Sequence, residues 1–132
     1  MTAPEAATRS ISLDNPGHTS AFRESLIVGV VLQLLMVICG HWIEFIKLNV
    51  FAIGGMAISL AAGVMYARRA RVSRARSAVQ GALVGGICAL IGIVVSYALG
   101  DVAANILVLG TLSSAVTGAI GGAVAGGTRS VA

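Results

Sequence analysis

The sequence predicts an all-α, polytopic membrane protein with four transmembrane helices in a compact bundle. Three observations lead there. Of 132 residues, 57% are hydrophobic and only 11% charged, with a mean hydropathy of +0.93. A soluble domain carries roughly 25% charge, so this chain has too little solvating surface for water. The apolar residues gather into four runs, each near the ~20 residues that a helix rising ~1.5 Å per residue needs to cross a ~30 Å hydrocarbon core. The charged residues lie between those runs rather than inside them. The runs are continuous and do not alternate with period two. Helices are therefore preferred to barrel strands, since lipid offers the backbone no hydrogen-bond partner.

Residues 1–24 hold both prolines, Pro4 and Pro16, with scattered Ser and Thr and charges of both signs. A segment of that composition cannot bury a core. It reads as a leader, disordered to about Thr19, with Phe22 and Arg23 reaching the interface. The first span, about 25–43, reads SLIVGVVLQLLMVICGHWI and is broken inside only by Gln33. Its apolar stretch exceeds the about 7–15 residues of a secretory signal, so it is expected to be retained. The second span covers about 48–67 and ends where the arginines begin, the third about 78–99, and the fourth about 102–126. The transmembrane domain is thus 25–127, followed by a tail at 128–132.

The positive charges divide cleanly between the two sides. Arg9 and Arg23 precede the first span, Arg68, Arg69, Arg71, Arg74 and Arg76 lie between the second and third, and Arg129 follows the fourth; only Lys47 falls opposite. The positive-inside rule then places both termini and the Arg-rich connection in the cytoplasm. A bias of eight to one also excludes insertion in both orientations. Many arginines beside one lysine fit a GC-rich bacterial genome, and hence the inner (cytoplasmic) membrane. The five-arginine connection reads as a topology determinant that also attracts anionic lipid, each Arg near the surface being worth about 1 kcal/mol. It holds no aromatic residue for base stacking, so nucleic acid is not an expected partner.

Shifting the chain by 56 residues lays Gly29 on Gly85, Asn49 on Asn105 and Gly54 on Gly110, and matches NVFAIG with NILVLG. Two tandem helical hairpins, related by an axis along the membrane normal, are one explanation. Helix-capping by Asn49 and Asn105 is the simpler account.

Close approach through small residues supplies much of the packing between helices in lipid. Gly110, Ser114, Gly118, Gly122 and Gly126 repeat every fourth residue of the fourth span, beside Thr111, Ala115, Ala119 and Ala123. The second span has Gly55, Ser59 and Gly63. The third has Gly81, Gly85 and Ala89 on one side and Gly92, Ser96 and Gly100 on another. These stripes outnumber the needs of a single bundle, which points to an interface with another chain.

No Lys, Arg, Asp or Glu lies deep in a span. That argues against proton-coupled antiport and against intramembrane hydrolysis, both of which need titratable groups at depth. Gln33 is the strong polar group at mid-depth. It is expected to hydrogen-bond across to Ser113 or Thr117, or else to line a polar path with His41, Glu44, Asn49, Asp101 and Asn105. His41 and Glu44, three apart, would share a helix face, as a hydrogen-bonded pair or two metal ligands. Two ligands do not make a site, so no metal and no cofactor are expected. Protonated His41 could also latch onto Glu44 or Asp101. Trp42 and Tyr97 read as interfacial anchors. Cys39 and Cys88 differ in depth by roughly 10 Å at ~1.5 Å per residue. A disulfide allows about 7 Å between Cα atoms, so both read as buried thiols.

The function expected from these features is non-enzymatic: helix–helix association, as a homo-oligomer or as a small accessory subunit of a larger membrane complex. The alternative is a small-solute or ion channel or transporter with a polar path near Gln33 and an outer His41/Glu44 cluster.

Overall fold

The computed structural model describes residues 16–45 and 50–126, and within them runs four helices: α1 (Pro16–Trp42), α2 (Phe51–Ala70), α3 (Arg74–Ala98) and α4 (Ala104–Gly126). Each is long and apolar enough to cross a membrane, which makes the chain a multi-pass membrane protein. Most of the leader, Lys47 and Asn49, and the tail with Arg129 lie outside the described residues.

The helix boundaries depart from the hydropathy limits for local reasons. α1 runs from Pro16, the first described residue, ahead of the expected start of the span at Ser25. Part of the expected disordered leader is therefore helical. Ala21 and Ser25 are buried, and Phe22 meets Tyr66 edge to face with centroids 6.2 Å apart. α3 likewise starts at Arg74 rather than Ala78. Arg68 and Arg69 thus belong to the last turn of α2 and Arg74 and Arg76 to the start of α3, leaving Arg71, Val72 and Ser73 as the connection. Arg71 closes α2 in the left-handed region at φ 51°, its N–H donating to the Ala67 carbonyl at 3.2 Å.

The turn from α3 to α4 is built around Gly100 at φ 78°. Its N–H donates to Tyr97 O at 3.0 Å and that of Asp101 to Ser96 O at 2.9 Å, the paired bonds of a Schellman ending. Gly100 therefore leaves the stripe it was grouped with and serves the turn. Asn105 is not a cap either: it is the exposed second residue of α4.

The interior is small and the exterior large. α1 turns Ala21, Ser25, Gly29, Gln33 and Val37 inward, every fourth residue, while Ile27, Val31, Leu35 and Ile38 face outward. α4 packs on α3 backbone to backbone. A β-carbon at Gly118 would overlap the Gly81 carbonyl oxygen, and one at Gly122 that of Ser77; one at Gly110 would lie 2.6 Å from the tip of Ile93. Gly85 approaches the Ser114 carbonyl, and Gly126 approaches the Ser77 side chain. The same helix wedges against α2, where Gly63 meets the Gly118 carbonyl and Gly121 meets that of Leu60. Ser59 Oγ donates to Gly85 O at 3.3 Å, tying α2 to α3.

The glycines of the α2, α3 and α4 stripes thus find partners within one chain. Among the described residues α1 and α4 do not meet; each packs on α2 and α3, which touch one another. The two hairpins also pack differently. Met36 separates α1 from α2 at Gly54, whereas α3 and α4 are in backbone contact. Gly29 meets the Cys88 side chain, and Gln33 meets Gly92.

Candidate functional site

Gln33 projects from α1 into a slot made by two glycines. A β-carbon at Gly92 on α3 would overlap Gln33 Cγ, and one at Gly55 on α2 would lie 3.2 Å from Gln33 Nε2. The side chain is 1% exposed, and its Oε1 has no hydrogen-bond partner. The expected bond to Ser113 or Thr117 does not form. Ser113 Oγ donates to Leu109 O at 2.7 Å, and Thr117 Oγ1 to Ser114 O at 3.0 Å, each within its own helix. Ser25, Ser77 and Thr111 also bury unpartnered hydroxyl oxygens. A hydroxyl one bond from Cβ can rotate to the carbonyl of the preceding turn. The Gln33 amide, at the end of a longer chain seated between two neighbouring helices, has no such fallback.

A cavity of about 210 Å³ adjoins this amide, in a gap between α2 and α4. Besides Gln33, its walls include Phe51, Ala52 and Met56 from α2, Ile93 from α3, and Leu109 and Ser113 from α4. Ala52, Met56 and Leu109 are also exposed on the outer surface of the bundle. The gap arises because α2 and α4 are pinned together by glycines around Gly63 and Gly121, toward the arginine-bearing end. Toward the other end their opening turns carry Phe51, Met56, Ile106 and Leu109, which line the gap. The result is an apolar crevice, with Gln33, Ser113 and Ser114 its polar lining, opening on the lipid-facing side.

The other residues of the anticipated polar path sit elsewhere. His41 Nδ1 lies 2.9 Å from Asp101 Oδ2, linking the last turn of α1 to the α3–α4 turn, and the His41 ring meets Trp42 edge to face. Glu44 is exposed, and α1 ends at Trp42, between it and His41. Asn105 is exposed and Asn49 is outside the described residues. Among the described residues no cluster of three metal-ligating side chains forms. Trp42 and Tyr97 are both exposed at this end, as interfacial anchors would be.

At the opposite end Arg68, Arg69, Arg71, Arg74 and Arg76 are exposed, and Arg69 pairs with Glu24 of α1. Of the two thiols only Cys88 is buried, with its Sγ 3.5 Å from Leu26 O; Cys39 is exposed, because it lies outside the inward stripe of α1.

Sequence reasoning singled out Gln33 but missed its frame. Gly55 and Gly92 were grouped with packing stripes, and the first span was assigned none. The signal was present in the fourth-residue series Ala21, Ser25, Gly29, Gln33, Val37, which puts the amide on the small-residue face. No protein-family model matches the sequence, and no curated protein or solved structure does so either. The site is therefore read from its own geometry.

Proposed function

We propose that this chain is a non-enzymatic membrane protein that holds a small, mainly apolar solute in the crevice between α2 and α4. The observation that carries the reading is the cavity of about 210 Å³. Close-packed interiors rarely hold voids larger than a water molecule, and an engineered apolar cavity of about 150 Å³ stays dry and admits benzene. The exposed rim at Ala52, Met56 and Leu109 supports delivery from the bilayer rather than from water. With the arginine-bearing end in the cytoplasm, as the positive-inside rule favours, the crevice lies in the outer half of the membrane. Binding of this kind suits a carrier or sensor of membrane-dissolved solutes. It does not suit an ion path, whose lining would be more polar. Association with a second chain has less support, since the small-residue stripes are occupied within the molecule.

Photolabelling tests the proposal. The protein is reconstituted in vesicles and exposed to a small aryl diazirine, which yields a carbene where it resides. Labelling of the segments 51–56 and 106–114 is expected to be competed saturably by toluene, whereas labelling of the outward face from Ile27 to Leu35 is not. Ala52→Phe, which fills the rim, should remove the saturable component. Uniform, non-saturable labelling in both places would refute the crevice as a binding site.

A further inference from the structure

We infer that the solute bound in this crevice carries one hydrogen-bond donor, an O–H or N–H on an otherwise apolar body of about one ring, and that Gln33 Oε1 accepts it. The inference rests on the crevice reading above and adds to it the chemistry of recognition. Gln33 is 1% exposed, lines the cavity, and has a buried amide oxygen without a partner.

A buried polar group left unpaired is costly, and native structures satisfy most of them. Ser113 and Thr117 are committed to their own helix, so a donor carried by a bound solute is a partner that the amide oxygen can take from the cavity. The slot keeps the rest of the side chain in place. Gly92 backs its Cγ and Gly55 its Nε2, so the methylene stem cannot withdraw. The final torsion of a glutamine is soft, so the amide plane can turn to meet a ligand at little expense. Apart from Ser113 and Ser114, the remaining lining, with Phe51, Ile93, Ile106 and Leu109, offers apolar contact, which favours a ligand whose polar group lies near Gln33. The volume sets the size of the part enclosed: about 210 Å³ holds a substituted ring.

The same photolabelling assay, run with three competitors of matched size, reads the inference directly on the wild-type protein. Phenol has a donor, anisole has an oxygen acceptor but no donor, and toluene has neither. At equal concentration in the membrane, phenol is expected to displace the diazirine roughly tenfold more effectively than toluene or anisole, one net buried hydrogen bond being worth about that factor. Gln33→Met should abolish the phenol preference while toluene still competes. Equal competition by phenol and toluene would overturn the donor inference and leave the crevice reading standing. Anisole competing as well as phenol would likewise overturn it, because the amide would then present its N–H. Saturable competition by none of the three would overturn the crevice reading itself.

Discussion

Gln33 occupies a slot that two glycines on neighbouring helices leave open. Its Cγ occupies the space a Gly92 side chain would need, and its Nε2 faces Gly55. Gly92→Ala should accordingly destabilise the protein by about 1–3 kcal/mol, the usual penalty for overfilling a packed interior. Gln33→Ala in the same background should restore much of the loss, because it removes the atoms that clash. Unfolding in mixed detergent, measured for both single variants and the double, gives the coupling between the two sites. Simple additivity would show that Gly92 and Gln33 do not share the slot. At this scale the sequence was half legible. An amide in a run of Leu, Val and Ile is conspicuous, but the glycines that frame it lie on other helices. Nothing in a one-dimensional spacing distinguishes a glycine that admits a side chain from one that admits a backbone.

The four spans were legible from hydropathy alone, because lipid requires continuous apolar length. The ends of α1 and α3 were not. Helical hydrogen bonding continues past the apolar stretch into polar turns, so the structure carries Arg74 and Arg76 on helix where hydropathy placed a loop. Gly100 illustrates the same limit. Its spacing from Gly92 and Ser96 matched a packing stripe, yet its φ of 78° makes it the left-handed residue that ends α3. Nothing lies within 4 Å of a β-carbon built there, so the effect of a substitution is conformational alone. Gly100→Ala should cost about 1–2 kcal/mol. Gly100→Asn should cost less, since Asn tolerates that region. Thermal midpoints in one detergent would rank the three; equal losses for Ala and Asn would show that something other than backbone conformation is at stake.

Across the whole molecule the usual arrangement of side chains is reversed, with Gly, Ala and Ser between helices and Val, Leu and Ile on the surface. Lipid makes that arrangement favourable. Large apolar side chains lose nothing by facing hydrocarbon, whereas close backbone contact is available only through small residues. The stripes were plain in the sequence, but their partners were not, since fourth-residue spacing is the same whether the facing helix belongs to this chain or to another. The structure pairs them internally, with Gly118 and Gly122 set against Gly81 and Ser77 on α3, and against Gly63 on α2. Gly118→Leu should therefore unfold the single chain, forcing α4 off both neighbours at a cost of several kcal/mol, rather than dissociate a folded protomer from a partner. The two outcomes differ in their dependence on concentration. Loss of an intermolecular interface shifts with protein concentration by mass action, whereas loss of an internal one does not. Unfolding midpoints of the wild type and of the milder Gly118→Ala, taken over a wide range of protein-to-detergent ratios, should stay constant with concentration and differ only from each other. A midpoint that rises with protein concentration, and a rise that Gly118→Ala abolishes, would return these stripes to an interface between chains.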